Sequence, residues 1–495
     1  MDSRIKHVFV LALENRSFDH LLAYSGIPGL AGVDTSKTNP DASGSPIPMT
    51  DDTPDRLGSD PGHEFENVDW QIYGSDPSAT PRPVSMSGFA NRGWPEAMQC
   101  AAPTLVPNLT RLARQFVVCD HWFSSMPGPT WPNRFFMHAG SSGGLANSPS
   151  DLTTIGSMLW SKLGFRFKKG TLFRKLDKAG VSWRVYHGDH FPQVCAIDTM
   201  PSVFVADTDR FRKMDAFAAD VQQGDAANYT LIEPNYGILS SFRDGDSQHP
   251  SGALSAGEQL IATVANSIMG SSLWMSSLLI VLYDEHGGFY DQLPPPTPCT
   301  PPGDCAVNAS KTANPPVPPF KFDRYGVRVP AIIVSPWVKA GAVDPTVYDH
   351  SSIIRTVFDL YFDKPVYLTK RDRNAASLKH LLQTTASNAA PEALPGSPPT
   401  LSQAAPQLGD KPPYSHSLNG FTRIAAQIHH AIRTYEPGMR AEELRKAISP
   451  RDDLSQLPGL PKTKDQDEYR RYIALVAGEL EKHRQRQRGN RTVRP

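Results

Sequence analysis

The chain has 495 residues, with 50 Lys+Arg against 50 Asp+Glu and a formal net charge of zero. A balanced chain has no global field to gather DNA or an anionic membrane, so nucleic acid is not an expected partner. Hydrophobic residues at 39% and charged residues at 20% exclude wholesale disorder, so the 46 prolines and 36 glycines point to long, shaped surface loops.

The first element is Lys6–Leu13 (KHVFVLAL), a dense apolar run that reads as a buried strand of a parallel sheet. It stops at Glu14-Asn15-Arg16 without the small-residue cleavage site of a signal peptide. Leu105–Phe116 reads as a helix, with Leu105, Leu109, Leu112 and Phe116 at helical spacing. Val181–Tyr186 and Tyr229–Ile232 read as strands. Ser255–Ser267 reads as a helix, with Leu260, Ile261, Val264 and Ile268 on one face. Leu278–Tyr283 (LLIVLY) and Ala331–Val334 (AIIV) add two more buried strands. Strands alternating with helices specify an α/β fold, a sheet covered by helices on both faces.

Ten prolines in the 26 residues Pro294–Pro319 mark a long ordered loop. Cys299 and Cys305 lie inside it; they pair in an oxidising compartment or stay free thiols in a reducing one. Seven prolines in the 30 residues Thr384–Pro413 fit a linker. Beyond it, one helical stripe runs from Leu418 to Ile432 and another from Tyr469 to Leu480. The expected organisation is a main domain over 1–383, a proline-rich linker over 384–417 and a helical appendage over 418–495. The appendage is expected to be dispensable for chemistry. Its end, Glu481–Pro495, holds six Lys/Arg and one Glu, the composition of a solvated disordered tail or of a contact with anionic lipid. No run of about 18 apolar residues exists to span a bilayer. The cytoplasm or a peripheral membrane position is expected, with export left open.

Polar residues gather at the carboxyl ends of the expected strands, the edge where open α/β sheets bind ligands. Glu14-Asn15 ends one strand and Asp284-Glu285-His286 ends another. Oxygens at two strand ends suit a hard divalent cation. His63 (DPGHEF), His249 (DSQHP), His286 (DEHGG) and His350 (YDHSS) all sit in loop contexts, where imidazoles do acid–base work or hold negative oxygens. In MPGPTWPNR, prolines on both sides of Thr130 are expected to stiffen the backbone and expose the hydroxyl, with Asn133 and Arg134 as donors to an oxyanion. A plain turn threonine fits that motif alone as well. No GxSxG elbow and no phosphate-cradling GxxxxGK[ST] is present.

These residues belong to an ordered series: KHVFVLALENRSFDHLL, DPGHEF, MSGFA, MPGPTWPNR, LIEPNYG, QHPSG, LYDEHGGFYD, YGVRVPAIIVSPWV, YDHSSIIRTVF and LTKRD. Over residues 5–372 the series resembles the phosphoesterase family that includes non-specific phospholipase C and bacterial acid phosphatases. The resemblance implies an alkaline-phosphatase-like α/β fold with a mostly parallel central sheet. It implies Thr130 as nucleophile and one divalent metal ion, of unspecified identity, on Glu14, Asn15, Asp284 and Glu285, with Thr130 close by. His63, His249, His286 and His350 would surround the phosphate, with His63, His249 and Asn133 at its equatorial oxygens. His286 or His350 would protonate the leaving alcohol. Thr at the nucleophile position, PGPTxPNR, DHSS and LTKRD lean toward the phospholipase C branch. The implied reaction cleaves glycerophospholipids to diacylglycerol and a phosphorylated head group through a phosphothreonine. Soluble phosphomonoesters are the alternative substrate. A non-catalytic lipid- or ion-binding protein of the same fold is a third reading, which the intact site set opposes. The partner is a phospholipid or small phosphate ester, and peripheral membrane contact fits it; oligomeric state is not specified. The chain departs from secreted bacterial members in lacking an evident export signal and their long β-rich C-terminal extension.

Overall fold

The two densest apolar runs become neighbouring strands at the centre of one sheet. A computed structural model of the chain describes residues 4–148, 160–161, 164–304, 320–396, 416–448, 454, 457–461 and 465–492. Its eight-stranded sheet comprises β1 (His7–Leu13), β2 (Val117–Cys119), β3 (Trp183–His187), β4 (Phe211–Lys213), β5 (Tyr229–Glu233), β6 (Ser277–Tyr283), β7 (Ala331–Val334) and β8 (Val343–Asp344). The spatial order is β8-β2-β7-β6-β1-β5-β3-β4, and β7 alone runs antiparallel to its neighbours. The sheet is therefore mostly parallel, as expected. The expected strands all form, within two residues at each end. The short strands β2, β4 and β8 were not legible, because two or three residues carry no periodicity.

The helices are α1 (Phe18–Leu22), α2 (Phe65–Tyr73), α3 (Pro107–Gln115), α4 (Thr130–Ala139), α5 (Leu172–Ala179), α6 (Met200–Ala206), α7 (Phe217–Gln222), α8 (Leu254–Met269), α9 (Ser351–Tyr361), α10 (Lys370–Asn374), α11 (His416–Thr434), α12 (Ala441–Ala447) and α13 (Gln466–Thr492). Helices α3, α7 and α8 pack together on one side, with α8 against β1 and β6 and Phe217 of α7 edge-on to Phe9 of β1. Helices α4, α5 and α9 pack together elsewhere, with α5 against β3. Every residue of β6 is buried, as a strand covered on both faces requires.

Register does the positioning. β1 and β6 pair in parallel from His7 with Ser277 to Leu13 with Tyr283. The next residues, Glu14 and Asp284, therefore leave the sheet side by side at its carboxyl edge. Arg16 N then donates to the Glu285 carbonyl at 3.0 Å, so the two departing loops stay joined.

Three expectations are corrected here. The basic end is a helix, not a disordered tail: α13 runs to Thr492, His483 and Arg484 are buried, and Gln487 Nε2 donates to the Val205 carbonyl at 3.2 Å. The first linker residues are docked on the main body. Leu394 is buried and exchanges hydrogen bonds of 2.8 and 3.1 Å with the Asn266 side chain, and Trp274 donates to the carbonyls of Asn388 and Ala389. Finally, the appendage is not remote from the chemistry. Helix α11 packs on α6 and α13, and its Phe421 meets Trp131 edge-on at 5.9 Å and Tyr236 at 5.5 Å. Trp131 follows Thr130 directly. The Cys299–Cys305 pairing falls on Cys305, outside the described residues; Cys299 is a buried thiol pushed up to about 12, chiefly by burial.

Gly420 lets α11 seat on this surface, because a Cβ there would overlap the Trp131 ring. A larger residue in a filled core costs about 1 to 3 kcal/mol, more than the roughly 1 kcal/mol that replacing a helical glycine returns. Gly420→Val is expected to lower Tm and to reduce turnover through Trp131. Thermal unfolding and kcat, measured together, check this; unchanged values for both would show that α11 does not bear on α4.

Candidate active site

Helix α4 starts at Thr130, with Pro129 as its N-cap residue. The motif expected to be a stiff loop is thus the first turn of a helix. The Thr130 side chain is buried at 6% exposure, contrary to the expected exposed hydroxyl, because α11 closes over the neighbouring Trp131. A helix N-terminus directs unpaired N–H groups and a partial positive charge at whatever lies before it, which suits a phosphate. Thr130 Oγ1 donates to Asn15 Oδ1 at 3.3 Å.

Asn15 is the junction of the site. Its backbone has φ +57, a left-handed conformation that asparagine tolerates better than most residues. Its N–H donates to Asp284 Oδ1 at 3.1 Å, and its Nδ2 lies 3.3 Å from His63 Nε2. Gly287, at φ +64, allows the second loop to pass, since a Cβ there would strike the Asn15 carbonyl. This is why the carboxylates of β6 are followed by a glycine pair.

The expected residues are brought together in a chain of contacts. Asp284 Oδ1 also accepts from Glu285 N at 2.8 Å, and its Oδ2 accepts from Arg134 Nε at 2.9 Å. The Asp284 carbonyl lies 2.5 Å from His350 Nε2. His286 Nδ1 is 3.5 Å from Glu285 Oε2. Asp60 joins the two remaining histidines, 3.9 Å from His63 Nδ1 and 3.7 Å from His249 Nε2. Glu14 is held by its own N–H to the Ser247 carbonyl at 2.9 Å.

The electrostatics are those of carboxylates forced together. Burial, and then the charge of Asp284, push the Glu14 carboxyl up to about 8 against the pull of Arg134, Ser247 and His63. Burial raises Glu285 well above its ordinary value as well, with Asp284 and Asp60 adding to it. Glu14 Oε2 and Glu285 Oε1 are buried without a hydrogen-bond partner. Two orphaned carboxylate oxygens beside the Asn15 amide oxygen and the Thr130 hydroxyl have the chemistry of a hard-cation site. Among the described residues, however, no group of three or more His, Cys, Asp or Glu converges as a ready-made metal cage. Asp284 also differs from expectation: both its oxygens already accept from protein donors. Its part is to anchor Arg134 and Asn15.

Two further residues have jobs other than those expected. Asn133 is fully buried, and its amide serves the loop before the helix. Oδ1 accepts from Met126 N at 3.1 Å, and Nδ2 faces the carbonyls of Met126, Gly128 and Pro129 at 2.9 to 3.3 Å. Arg134, expected as an oxyanion donor, ties Asp284 to the carbonyls of Ala12 and Leu13, both at 3.2 Å. The Asn133 amide is fully engaged there, whereas the hydrogen bonds of Arg134 to Asp284, Ala12 and Leu13 use Nε and Nη2 and leave Nη1 out. The histidines also divide. His350 accepts from Trp122 Nε1 at 3.2 Å while its Nε2 donates to the Asp284 carbonyl, so both ring nitrogens are engaged. His286 Nε2 faces Gln71 Oε1 at 2.8 Å, and its ring lies edge-on to Phe89. His249 stacks on Phe242 at 3.9 Å and accepts from Ser251 N. His63 donates from Nδ1 to the Pro61 carbonyl at 2.8 Å and leaves Nε2 toward Asn15. Asp60 and Ser247 were not singled out from the sequence, although Asp60 stands three residues before His63 in DPGHEF.

With this geometry in hand, the relatives can be set beside it. A family model described as "Phosphoesterase family" matches residues 5–362. "Non-specific phospholipase C6" of Arabidopsis thaliana is 32% identical over 448 residues, covering 86% of this chain and 80% of its own. "Non-specific phospholipase C3" of the same plant is 33% identical over 410 residues, covering 77% and 74%. The solved lipoteichoic acid synthase LtaP from Listeria monocytogenes aligns over 75% of this chain and 76% of its own, at 9% identity and a TM-score of 0.36. The chain belongs to the phosphoesterase family. It is a phosphoric ester hydrolase, and the set at the sheet edge is its candidate active site.

Asn133→Ala removes the side-chain hydrogen bonds that fold the Met126–Pro129 loop and leaves buried carbonyls unpaired, at a cost of about 1 to 3 kcal/mol for each group left unsatisfied. The expected result is a lower Tm and a lower kcat with little change in KM. A rise in KM at constant kcat and Tm would place Asn133 against the substrate instead.

Proposed function

We propose that this protein cleaves glycerophospholipids as a phospholipase C, releasing diacylglycerol and a phosphorylated head group. The observation that carries this reading is the placement of Thr130 at the start of α4, hydrogen-bonded to Asn15 where β1 and β6 end. The relatives named non-specific phospholipase C support the substrate class. The alternative, turnover of soluble phosphomonoesters, uses the same core and is separated by assay.

Thr130 loses its hydroxyl proton to solvent and its Oγ attacks phosphorus in line, forming an O–P bond as the bond to the glycerol oxygen breaks. The N-terminus of α4 stabilises charge on the phosphoryl oxygens. Asn15 orients the Thr130 hydroxyl. Glu14 and Glu285 would hold a divalent cation with Asn15 and Thr130 oxygens; such an ion, when bound, neutralises phosphoryl oxygens and acidifies the hydroxyl. The leaving alkoxide takes a proton from His63. This assignment rests on geometry: both nitrogens of His350 and Nε2 of His286 are held by protein groups, whereas His63 Nε2 faces Asn15 on a side chain that is 15% exposed. Burial disfavours the charged ring, but Glu285, Asp60 and Glu64 outweigh it and raise His63 to about 9. His249, held down at about 4 mainly by burial, stays neutral and is a hydrogen-bond donor or acceptor rather than an acid. Water then hydrolyses the phosphothreonine, returning Thr130 and releasing the phosphorylated head group.

Thr130→Ala is expected to lose about three or more orders of magnitude in kcat, as loss of a nucleophile does. The decisive assay supplies divalent metal and compares phosphatidylcholine, p-nitrophenyl phosphorylcholine and p-nitrophenyl phosphate. Preference for the first two supports the phospholipase; preference for the third would make the enzyme a monoesterase. Near wild-type turnover by Thr130→Ala would remove the covalent route.

Glu14→Gln and Glu285→Gln each keep the size of the side chain and delete one charge of the oxygen set. Both are expected to lose metal by elemental analysis along with activity. Full metal content in both variants would exclude these carboxylates as ligands.

A further inference from the structure

A concavity lies away from the sheet's carboxyl edge. It is a cleft of about 1700 Å³ bounded by α5, the ends of α6 and α11, and helices α12 and α13. Asp177 and Arg210 on its wall stand at the starts of β3 and β4: Trp183 Nε1 donates to Asp177 at 2.9 Å, and Arg210 precedes Phe211. The cleft is therefore at the opposite end of the strands from Glu14, Asn15 and Asp284, and it shares no residue with the candidate active site.

Its charges do not balance internally. Arg210 is matched by Asp177 at 2.7 Å and Asp207 at 3.4 Å. Glu442 is matched by Lys446, and Glu479 lies 3.0 Å from His429, whose ring burial holds below its ordinary value. Arg440 is matched by Glu443. Asp209 also lines the cleft. Against it stand Arg174 of α5, Arg433 of α11, Arg445 of α12, and Lys482 and Arg486 of α13. None of these five has an ion pair or a side-chain hydrogen bond among the described residues. Lys482 and Arg486 are four residues apart on one helix face, where like charges repel. Arg174 and Arg445 also border an adjoining hollow that carries Arg166 and Lys168 together with Asp198 and Asp304. In a chain of zero net charge this is a local excess: seven Lys/Arg against five Asp/Glu line the cleft, and a surplus of one sign on a concave wall concentrates counter-ions.

We propose that this cleft binds a polyphosphorylated anion, at a site separate from the phosphoester-hydrolysing one. Guanidinium groups converging from four helices match the several acceptor oxygens of neighbouring phosphates. A single phosphate would meet only part of the set. A soluble polyphosphate and the head group of a polyphosphorylated lipid share this chemistry.

The test uses the full chain and two probes. Inorganic tripolyphosphate is titrated by calorimetry, and flotation is measured on phosphatidylcholine vesicles with and without phosphatidylinositol bisphosphate. The triple variant Arg445→Ala, Lys482→Ala, Arg486→Ala is expected to weaken binding about tenfold or more. Its hydrolysis of p-nitrophenyl phosphorylcholine is expected to stay at the wild-type rate. The exposed single variants Arg174→Ala and Arg433→Ala, at helix surface positions that do not carry the core, are expected to weaken binding by about threefold each. Cleft-dependent binding of tripolyphosphate makes the ligand soluble; cleft-dependent flotation alone makes it a lipid head group. Equal binding by wild type and all variants, or no binding of either probe by wild type, overturns the proposal.

Discussion

The ion pair between Arg134 and Asp284 holds the candidate site in one piece. Both side chains are buried, at 2% and 0% exposure, and the guanidinium also reaches the carbonyls of Ala12 and Leu13. One residue thus joins helix α4, which carries Thr130, to the ends of both central strands. Tyr236 covers the guanidinium at 5.1 Å, and Phe421 of α11 packs on Tyr236. Removing one member of such a pair leaves a buried charge without a partner, typically at about 3 to 5 kcal/mol. The pair is weak as a source of net stability and strong as a constraint on geometry, because Arg134 has hydrogen-bonding partners on two strands at once.

That constraint explains why an acid-rich centre can exist at a dry sheet edge. Glu14, Asp284 and Glu285 are all buried, and the charge of Asp284 raises the cost of ionising both glutamates. Arg134 compensates Asp284, which frees Asp284 to take the N–H groups of Asn15 and Glu285. Glu14 and Glu285 are left with orphaned oxygens aimed at no protein donor. Orphaned carboxylate oxygens lie where ion chemistry is expected. A comparable device works at the loops outside the site. Arg328 bonds Asp19 at 2.8 Å and Asp291 at 3.1 Å, all three fully buried, and so fastens the segment after β1 to the segment after β6.

The histidines illustrate how one residue type takes several roles by environment. His350 and His286 are locked by Trp122, Gln71 and backbone groups, and burial holds both below the ordinary imidazole value. They position the loops that carry Asp284 and Glu285. His63 stands among carboxylates and retains its proton. Asp60, reaching both His63 and His249, is the acidic group that links the two sides of the site mouth.

The sequence by itself determined the central strands, the long helices and the family. Apolar runs of six to eight residues such as Lys6–Leu13 and Leu278–Tyr283 bury on both faces wherever they are placed, and their polar ends must then emerge at the sheet edge. Glu14, Asn15, Asp284 and Glu285 were legible for that reason, and Thr130 through its motif. Only the tertiary structure decided which of these oxygens are engaged, that Asn133 and Arg134 serve the scaffold, and that Asp60 joins two histidines. Hydrogen-bond partners 115 to 269 residues apart in the chain, as between Thr130, Asn15 and Asp284, leave no periodic trace. The same holds for α11. Its amphipathic stripe announced that it needed a partner, but the partner, Trp131 beside Thr130, is a property of packing, which depends on shape and not on spacing.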